Sequence, residues 1–560
     1  MRTIMIAALV GALAADGLAR TRSVRRTSLP RDAAGCDIVA PVCSEGGSAY
    51  EPLRAGEAEI IVRAAAKALD VTTMTIAVVD RAGRPLALFR KPAAPPENDD
   101  PAVGVARTAA FFSHNMAPLS SRTVRFISGI HFPPGITNTP SAALYGIENT
   151  NRGCALNVEF NEGKCLPPAR SVAGGSCDST TSSGCGPGIV TGKRQPRDED
   201  PSSVEAGGIP LYRIVPPGLA QAGEGKVSNG QLIGAIGVVG VPGDPQRAEF
   251  AAASAAFAAI GSPAGPIIPV PSYPLPHPGN VFVDGIRLPF LGPDLRLEFN
   301  DDGLPTGVRR LAGTSGGTDD GTFIIVPRNG GCAPNGDLSG PRAGSRMTRD
   351  EVAGVVQRAT ETARRTRGLI RLPLNSFARM VIAVADVDGS ILALHRMPDA
   401  TVFSADVAVA KARNVVWFSE NGLPGVPAGT AVTNRTIGFG GQPFFPPGID
   451  SKAFDPREGP WYRSLFVRDL ANPCSQGDQS ANANQNGIGF FAGSTPLYRN
   501  GQLVGGLGVS GDGIEQDDYV SYHAAGAFLP PQQIWADRIR IDGVRLPMFK
   551  FPRHPEGVDE

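Results

Sequence analysis

Charge of one sign, long apolar runs and histidine are what this 560-residue chain has least of. Its 53 basic and 53 acidic residues cancel. Proteins that grip nucleic acid or anionic membranes usually carry a clustered basic excess, so the balance argues against both partners. Beyond the N-terminus no segment offers the ~18 unbroken apolar residues of a membrane-spanning helix. The histidines number six. They form no His/Asp/Glu cluster at i, i+4 spacing, which argues against a metal enzyme. No CxxC zinc pattern and no CxxCH haem-attachment motif occurs. A Ser hydrolase would want G-x-S-x-G, and "GVSG" lacks that spacing. The glycine-rich "GAIGVVG" (234–240) and "GGLGVSG" (505–511) are not followed by GK[ST], so they read as strands approached closely by neighbouring backbone rather than as phosphate loops.

What is present begins with loops. Sixty-nine glycines and 51 prolines imply long irregular stretches. The length suits roughly three or four ordinary domains. The N-terminus, "MRTIMIAALVGALAADGLARTR", places an apolar run from Ile4 to Ala15 behind one arginine and offers Ala12-Leu13-Ala14 as a cleavage site. That pattern predicts a secretory signal over 1–19 and a secreted or periplasmic protein. The eight cysteines agree with export. Six fall in near pairs (Cys36 with Cys43, Cys154 with Cys165, Cys177 with Cys185) and most simply close short loops, leaving Cys332 and Cys474. Spacing alone does not fix the connectivity.

The chain is one unit used twice. A shift of 306 carries "TIAVVDRAGRPLALFRK" (75–91) onto "VIAVADVDGSILALHRM" (381–397), matching Asp80 with Asp386, Gly83 with Gly389 and Arg90 with Arg396. The same shift carries "AVGVARTAAFFS" (102–113) onto "AVAKARNVVWFS" (408–419). Further matches come with drifting spacing: "RTVRFISGIHFPPGI" (122–136) with "RTIGFGGQPFFPPGI" (435–449), "IPLYR" with "TPLYR", "NGQLIGAIGVVG" with "NGQLVGGLGVSG", and "VDGIRLPF" with "IDGVRLPM". Each unit predicts a helix, a hairpin, an alanine-rich helix, a Gly/Pro-rich region, two more strands and a last helix. Thr348 and Glu351 form a capping box ahead of the first helix of the second unit. The expected class is α/β with a mostly antiparallel sheet and long Gly/Pro-rich insertions, built twice.

These residues resemble the GlcG/HbpS-like family, often called the haem-degrading domain. Its pattern runs "IAVVDxxGxLxAxHRMDGA", "AxxKAxTAxxF", "GGxPxxxxGxxVGxxGVSG" and "QDxxxAxAA". The second unit carries it closely in "IAVADVDGSILALHRMPDA", "VAVAKARNVVWFS", "STPLYRNGQLVGGLGVSG" and "EQDDYVSYHAA". The first unit has Phe89 in place of the histidine, Val239 in place of the serine and "DPQRAEF" for the QD segment. Roughly 130 residues of each repeat are covered, without 137–206, 450–489 or the "DGxRLP" tails. The resemblance implies two tandem profilin-like α/β/α sandwiches, haem binding, assembly into homo-oligomers in some members, and export in some. Haem degradation is implied by the family's name alone, so an enzymatic role is left open. One further segment, "DPREGPWYRS" (455–464), is similar to part of the extracellular Cache sensor domains.

Haem wants an apolar slot, a group that reaches iron and cations near its propionates. His395, Arg396 and Met397 stand in a row at a strand end, and strand alternation would put His395 and Met397 on one face. His395 is the leading iron-ligand candidate; the ordinary alternative is a surface histidine satisfied by hydrogen bonds. His131, whose counterpart is Phe444, is the candidate in the first unit. Tyr498, matched by Tyr212, offers a phenolate, and His523 lies in the last helix. The expected domains are 51–275 and 344–530, joined by a tail segment and linker (276–343), preceded by a linker (20–50) and followed by a C-terminal tail (531–560). The expected function is exported haem binding, for storage, sensing or degradation. The alternative is a scaffold or small-organic-ligand binder without iron.

Overall fold

The computed structural model describes residues 42–45, 48–130, 142–154, 156–162, 164, 166, 190–192, 205–214, 230–271, 281–283, 285–301, 305–372, 375–445 and 458–556. The expected signal segment, His131, Cys36, Cys165, Cys177 and Cys185 lie outside them.

A short hairpin, β1 (Cys43–Glu45) with β2 (Ser48–Tyr50), leads into the first repeat. There α1 (Ala55–Ala68) precedes β3 (Thr75–Asp80) and β4 (Pro85–Arg90). Helices α2 (Asp99–Phe112) and α3 (Ser121–Ser128) come next, then β5 (Gly208–Ile214), β6 (Gly230–Val239), α4 (Pro245–Ala256) and β7 (Ile267–Ile268). Two small hairpins succeed them, β8 (Phe282–Val283) with β9 (Ile286–Arg287) and β10 (Leu297–Phe299) with β11 (Pro305–Val308). Strands β12 (Thr322–Ile325) and β13 (Gly336–Ser339) lie between the repeats. The second repeat runs α5 (Arg349–Ala363), β14 (Val381–Ala385), β15 (Ile391–Arg396), α6 (Ser404–Asn421), α7 (Asn434–Gly440), α8 (Arg468–Ala471), β16 (Ser494–Arg499), β17 (Gln502–Ser510) and α9 (Ile514–Ala525). It closes on the hairpin β18 (Arg540–Ile541) with β19 (Val544–Arg545).

The two sheets have one plan. The first is ordered β12-β4-β3-β6-β5-β7 and the second β13-β15-β14-β17-β16, with antiparallel neighbours throughout. Helices α1 and α4, or α5 and α9, pack together on one face, while α2 or α6 lies on the other. The expected α/β/α sandwich is therefore built twice. Close approach explains the strand glycines: a Cβ on Gly237 would stand 2.3 Å from Ala102 O, and one on Gly508 2.1 Å from Ala408 O. Arg107 and Arg413, both buried, donate Nε–H to the hairpin-turn carbonyls of Gly83 (2.8 Å) and Gly389 (2.9 Å). Each "DGxRLP" tail docks on the capping hydroxyls of its own repeat. Thr123 Oγ1 donates to Pro289 O and Thr436 Oγ1 to Pro547 O, both at 2.7 Å.

Segments expected as linkers carry structure. The 276–343 stretch supplies the edge strands β12 and β13, one to each sheet. The 20–50 stretch supplies Glu45, which is buried between the repeats. The disulfides also differ from the short loops expected. Cys43 pairs with Cys332 and Cys154 with Cys474, at sequence separations of 289 and 320. Cys43 and Cys154 thus take partners far away in sequence, because separated stretches of chain meet at a common seam.

That seam joins the C-terminal end of α2 to the N-terminal end of α6. Phe112 and Phe403 stack with centroids 4.0 Å apart, and Val402 N–H donates to Phe111 O at 3.0 Å. Beside them lies a buried array of three arginines and three carboxylates. Glu45 bridges Arg81 and Arg396 (2.5 Å each), and Asp399 bridges Arg81 (3.1 Å) and Arg371 (2.7 Å). Arg371 also pairs with Asp512. Burial alone would raise the Asp399 carboxyl, but Arg371 and Arg81 outweigh it and hold it below the usual carboxylate range. His114 Nε2 stands 3.8 Å from Asp512. Burial, with Arg371 nearby, pushes His114 well below its ordinary value.

Asp399→Ala leaves two buried guanidiniums short of a partner and should cost about 3–5 kcal/mol, read by denaturant unfolding. His114 titrates below its unfolded value of about 6.5, so the unfolded state binds the extra proton first. Its contribution is present above about pH 6.5 and declines as pH falls below it. A His114→Gln variant should therefore show a flatter fall in unfolding free energy between about pH 6.5 and 4.5 than the parent chain.

Candidate functional site

His395 sits on β15 directly across from Asp337 on β13. The side chains meet with Nδ1 and Asp337 Oδ1 2.7 Å apart. A carboxylate on one ring nitrogen fixes the ring and leaves the other nitrogen for a ligand, the arrangement common behind metal-bound histidines. The His395 side chain remains 18% exposed. Beside it, α5 and the β13 edge enclose an open groove of about 330 Å³, lined among others by Pro341, Ala353, Val356 and Arg364. The wall is partly apolar and Arg364 brings a cation.

The first repeat has the same edge strand but different chemistry. Phe89 on β4 stands across from Phe323 on β12, with ring centroids 5.0 Å apart and edge to face. Arg63 of α1 lies over the Phe323 ring. The His/Phe difference is thus half of a paired change: His395 with Asp337 in one repeat, Phe89 with Phe323 in the other. The Phe pair occupies the position of the groove's polar edge.

The other expected site residues part from His395. Arg396 faces inward to Glu45 and donates to Ala400 O (Nε, 3.0 Å). Met397 lies past the end of β15, where strand alternation no longer holds, and its Sδ accepts from Met380 N–H at 3.4 Å in the core. It does not share the His395 face. Tyr498 is buried on β16, its phenol pushed up to about 12 chiefly by burial, and lines neither the groove nor the cavity between the repeats. Tyr212 donates to His114 O at 2.9 Å. His523 packs with Tyr519, Tyr522 and Phe551 near the C-terminal tail. Trp461 of the "PREGPWY" segment is fully buried and donates to Pro424 O at 2.9 Å, a packing role.

That cavity escaped the sequence. It measures about 40 Å³, is walled by Phe112, Phe403 and Phe491 among others, and ends at Lys411 and Asp517. Lys411 Nζ donates to Asp517 Oδ2 (3.0 Å) and to Val509 O (2.7 Å). Burial lowers the Lys411 ammonium and raises the Asp517 carboxyl to about 7. Gly493, at φ +114°, leaves room for the pair: a Cβ there would fall 2.4 Å from the Asp517 Cβ. In repeat one the matching glycine is Gly207, at φ +113°, and it faces Ala248. Lys411 itself corresponds to Val105. The neighbouring ion pair is kept in both copies, Arg122 with Glu249 and Arg435 with Asp518. The signal was present in the sequence as Lys411 in "VAVAKA" and Asp517 in "EQDD", two strings whose contact only the fold reveals.

The family described as haem degrading protein HbpS-like matches residues 54–157 and 357–525. The fold and site define a tandem α/β/α sandwich protein, and the chain carries the HbpS-like domain twice. Similar solved structures include a haem complex of PduOC at 20% identity, covering 32% of this chain and 94% of that one with a TM-score of 0.21. Protein ORFY of Klebsiella pneumoniae matches at 21% identity, 32% and 84% coverage and TM-score 0.20. A double mutant of HbpS from Streptomyces reticuli matches at 19% identity, 33% and 87% coverage and TM-score 0.19. Comparison with the curated proteins finds no match. No described helix is long and apolar enough to cross a membrane.

Removing Asp517 alone should strand a buried ammonium. Asp517→Ala is expected to cost about 3–5 kcal/mol in denaturant unfolding, while Lys411→Val combined with Asp517→Ala should be nearly neutral or stabilising, since it recreates the repeat-one composition.

Proposed function

We propose that this protein is an exported haem binder whose second repeat holds the ligand through the His395 groove. The observation that carries the reading is the His395–Asp337 pair at the edge of an open groove of about 330 Å³. The family description, haem degrading protein HbpS-like, supports the ligand class. Export is supported by the Ile4–Ala15 run and by two disulfides of long span.

The groove fits one face of a porphyrin. His395 would be the axial ligand, Asp337 would orient its ring, Val356 and Ala353 would lie against the macrocycle, and Arg364 would take a propionate. Bound there, haem would supply an iron centre for storage, sensing or redox chemistry. At the small end of ligand-pocket volumes, which run from about 300 to 1,000 Å³, the groove leaves part of the ring outside, where a second copy of the chain would cover it. The 40 Å³ interdomain cavity is far too small for a porphyrin. Repeat one has Phe89 and Phe323 at the matching positions, neither of which can ligate iron, and serves a structural role there.

Haem titration followed at the Soret band tests this. The parent chain should bind with a histidine-ligated spectrum. His395→Ala should abolish that spectrum, and Asp337→Ala should weaken binding by about 10–100-fold. An unchanged spectrum and affinity in His395→Ala would remove the groove from consideration.

A further inference from the structure

The second repeat buries an ion pair that its fold does not require. Repeat one builds the same sheet, with glycine in the same conformation, using Val105 and Ala248 at the positions of Lys411 and Asp517. Desolvating two charges is expensive, and apolar residues of similar volume commonly do as well or better. A pair kept where the sister repeat does without it calls for another purpose. The pair is also incomplete. Asp517 Oδ2 receives Lys411, but Oδ1, equally buried, finds no hydrogen-bond partner among the described residues. Lys411 spends two of its three N–H donors, on Asp517 and Val509 O. One acceptor and one donor thus stand at the end of a cavity whose other walls are mainly aromatic and aliphatic.

We propose that this cavity is a binding site for a very small neutral molecule with a hydroxyl at one end and a methyl-sized apolar end, held by Asp517 and Lys411. A hydroxyl satisfies both groups at once, donating to Asp517 Oδ1 and accepting from Lys411. A carboxylate would be repelled by Asp517 and an ammonium by Lys411, and either would add an unpaired charge to a mostly apolar site. Phe112, Phe403 and Phe491 receive the apolar part. The volume sets the size: about 40 Å³, against the ~150 Å³ that holds the six carbons of benzene in an engineered cavity, admits about two non-hydrogen atoms. Phe112 comes from repeat one and the charged pair from repeat two, so the site exists only because the copies are joined. The ligand is separate from anything the His395 groove holds.

Carbon NMR of the full chain with 13C-labelled methanol tests the proposal, with 13C-labelled ethane as the two-atom probe of the same shape lacking the hydroxyl. The parent chain should bind the alcohol about tenfold more tightly than the alkane. Lys411→Val with Asp517→Ala should reverse that preference. Asp517→Asn, which turns the free acceptor into a donor and keeps the shape, should lose it even if the double variant folds poorly. His395→Ala should bind the alcohol as the parent does, so a failure of the haem reading leaves this result intact. Equal affinity for the two probes, no saturable binding of the alcohol, or undiminished preference in Asp517→Asn would each overturn the proposal.

Discussion

Asp399 is the residue on which the two-repeat arrangement turns. It sits fully buried between Arg81 of the first repeat and Arg371 of the second, and it accepts the Asn115 backbone N–H at 3.0 Å. Around it, three guanidiniums and three carboxylates cancel in charge while coming from separated stretches of chain. None of the six could be left alone in that interior, because an unpaired buried charge costs far more than a lost contact. The array therefore admits essentially one relative placement of the repeats. The aromatic stack of Phe112 on Phe403 and the disulfide between Cys154 and Cys474 act within that placement. The N-terminal hairpin belongs to it too, since Glu45 bridges Arg81 and Arg396 while Cys43 ties the hairpin to Cys332.

The meeting of the end of α2 with the start of α6 has a consequence for where ligands can go. Phe112 stacks on Phe403 there, and both helices are buried nearly all round. Their small residues, Ala102, Ala106, Ala408 and Ala412, allow the approach to the strand glycines. What space remains on that side is a small, mostly apolar cavity. Open space is left on the other face, between α5 and the β13 edge, where His395 stands. The fold thus separates an outer groove of about 330 Å³ from an inner cavity of about 40 Å³.

Much of this was legible in the sequence, and the exceptions have physical causes. The duplicated hairpins, the alanine-rich helices and the Thr348 capping box are local patterns, and the structure reproduces them, with Thr348 Oγ1 accepting from Glu351 N–H. The roles of β12 and β13 were not legible, because a short edge strand has no signature apart from the strand it pairs with. The partners of Cys43 and Cys154 were missed for the same reason: Cys154 meets Cys474 only once the repeats are apposed. Met397 was misplaced by extending strand alternation one residue beyond Arg396, the last residue of β15. His395 was found, but its partner Asp337 lies 58 residues away on a segment read as linker. Lys411 and Asp517 were quoted within motif strings without being seen as a pair, since a sequence separation of 106 hides their contact.

The two repeats act as controls for each other. At the sheet edge, His395 and Asp337 are replaced together by Phe89 and Phe323; beside the last helix, Lys411 and Asp517 are replaced together by Val105 and Ala248. In both places the first repeat is apolar and the second polar, and in both the surrounding strands and glycines keep their geometry. Packing accounts for the apolar versions without further help. It does not account for the buried Lys411–Asp517 pair, which brings a desolvation cost that the fold can evidently avoid. There, drift at one partner alone would strand the other, a state that buried charge penalises heavily. The His395 and Asp337 side chains are 18% and 51% exposed, so their joint change carries no such penalty. Concerted replacement at two separate positions fits a duplication whose copies diverged pair by pair.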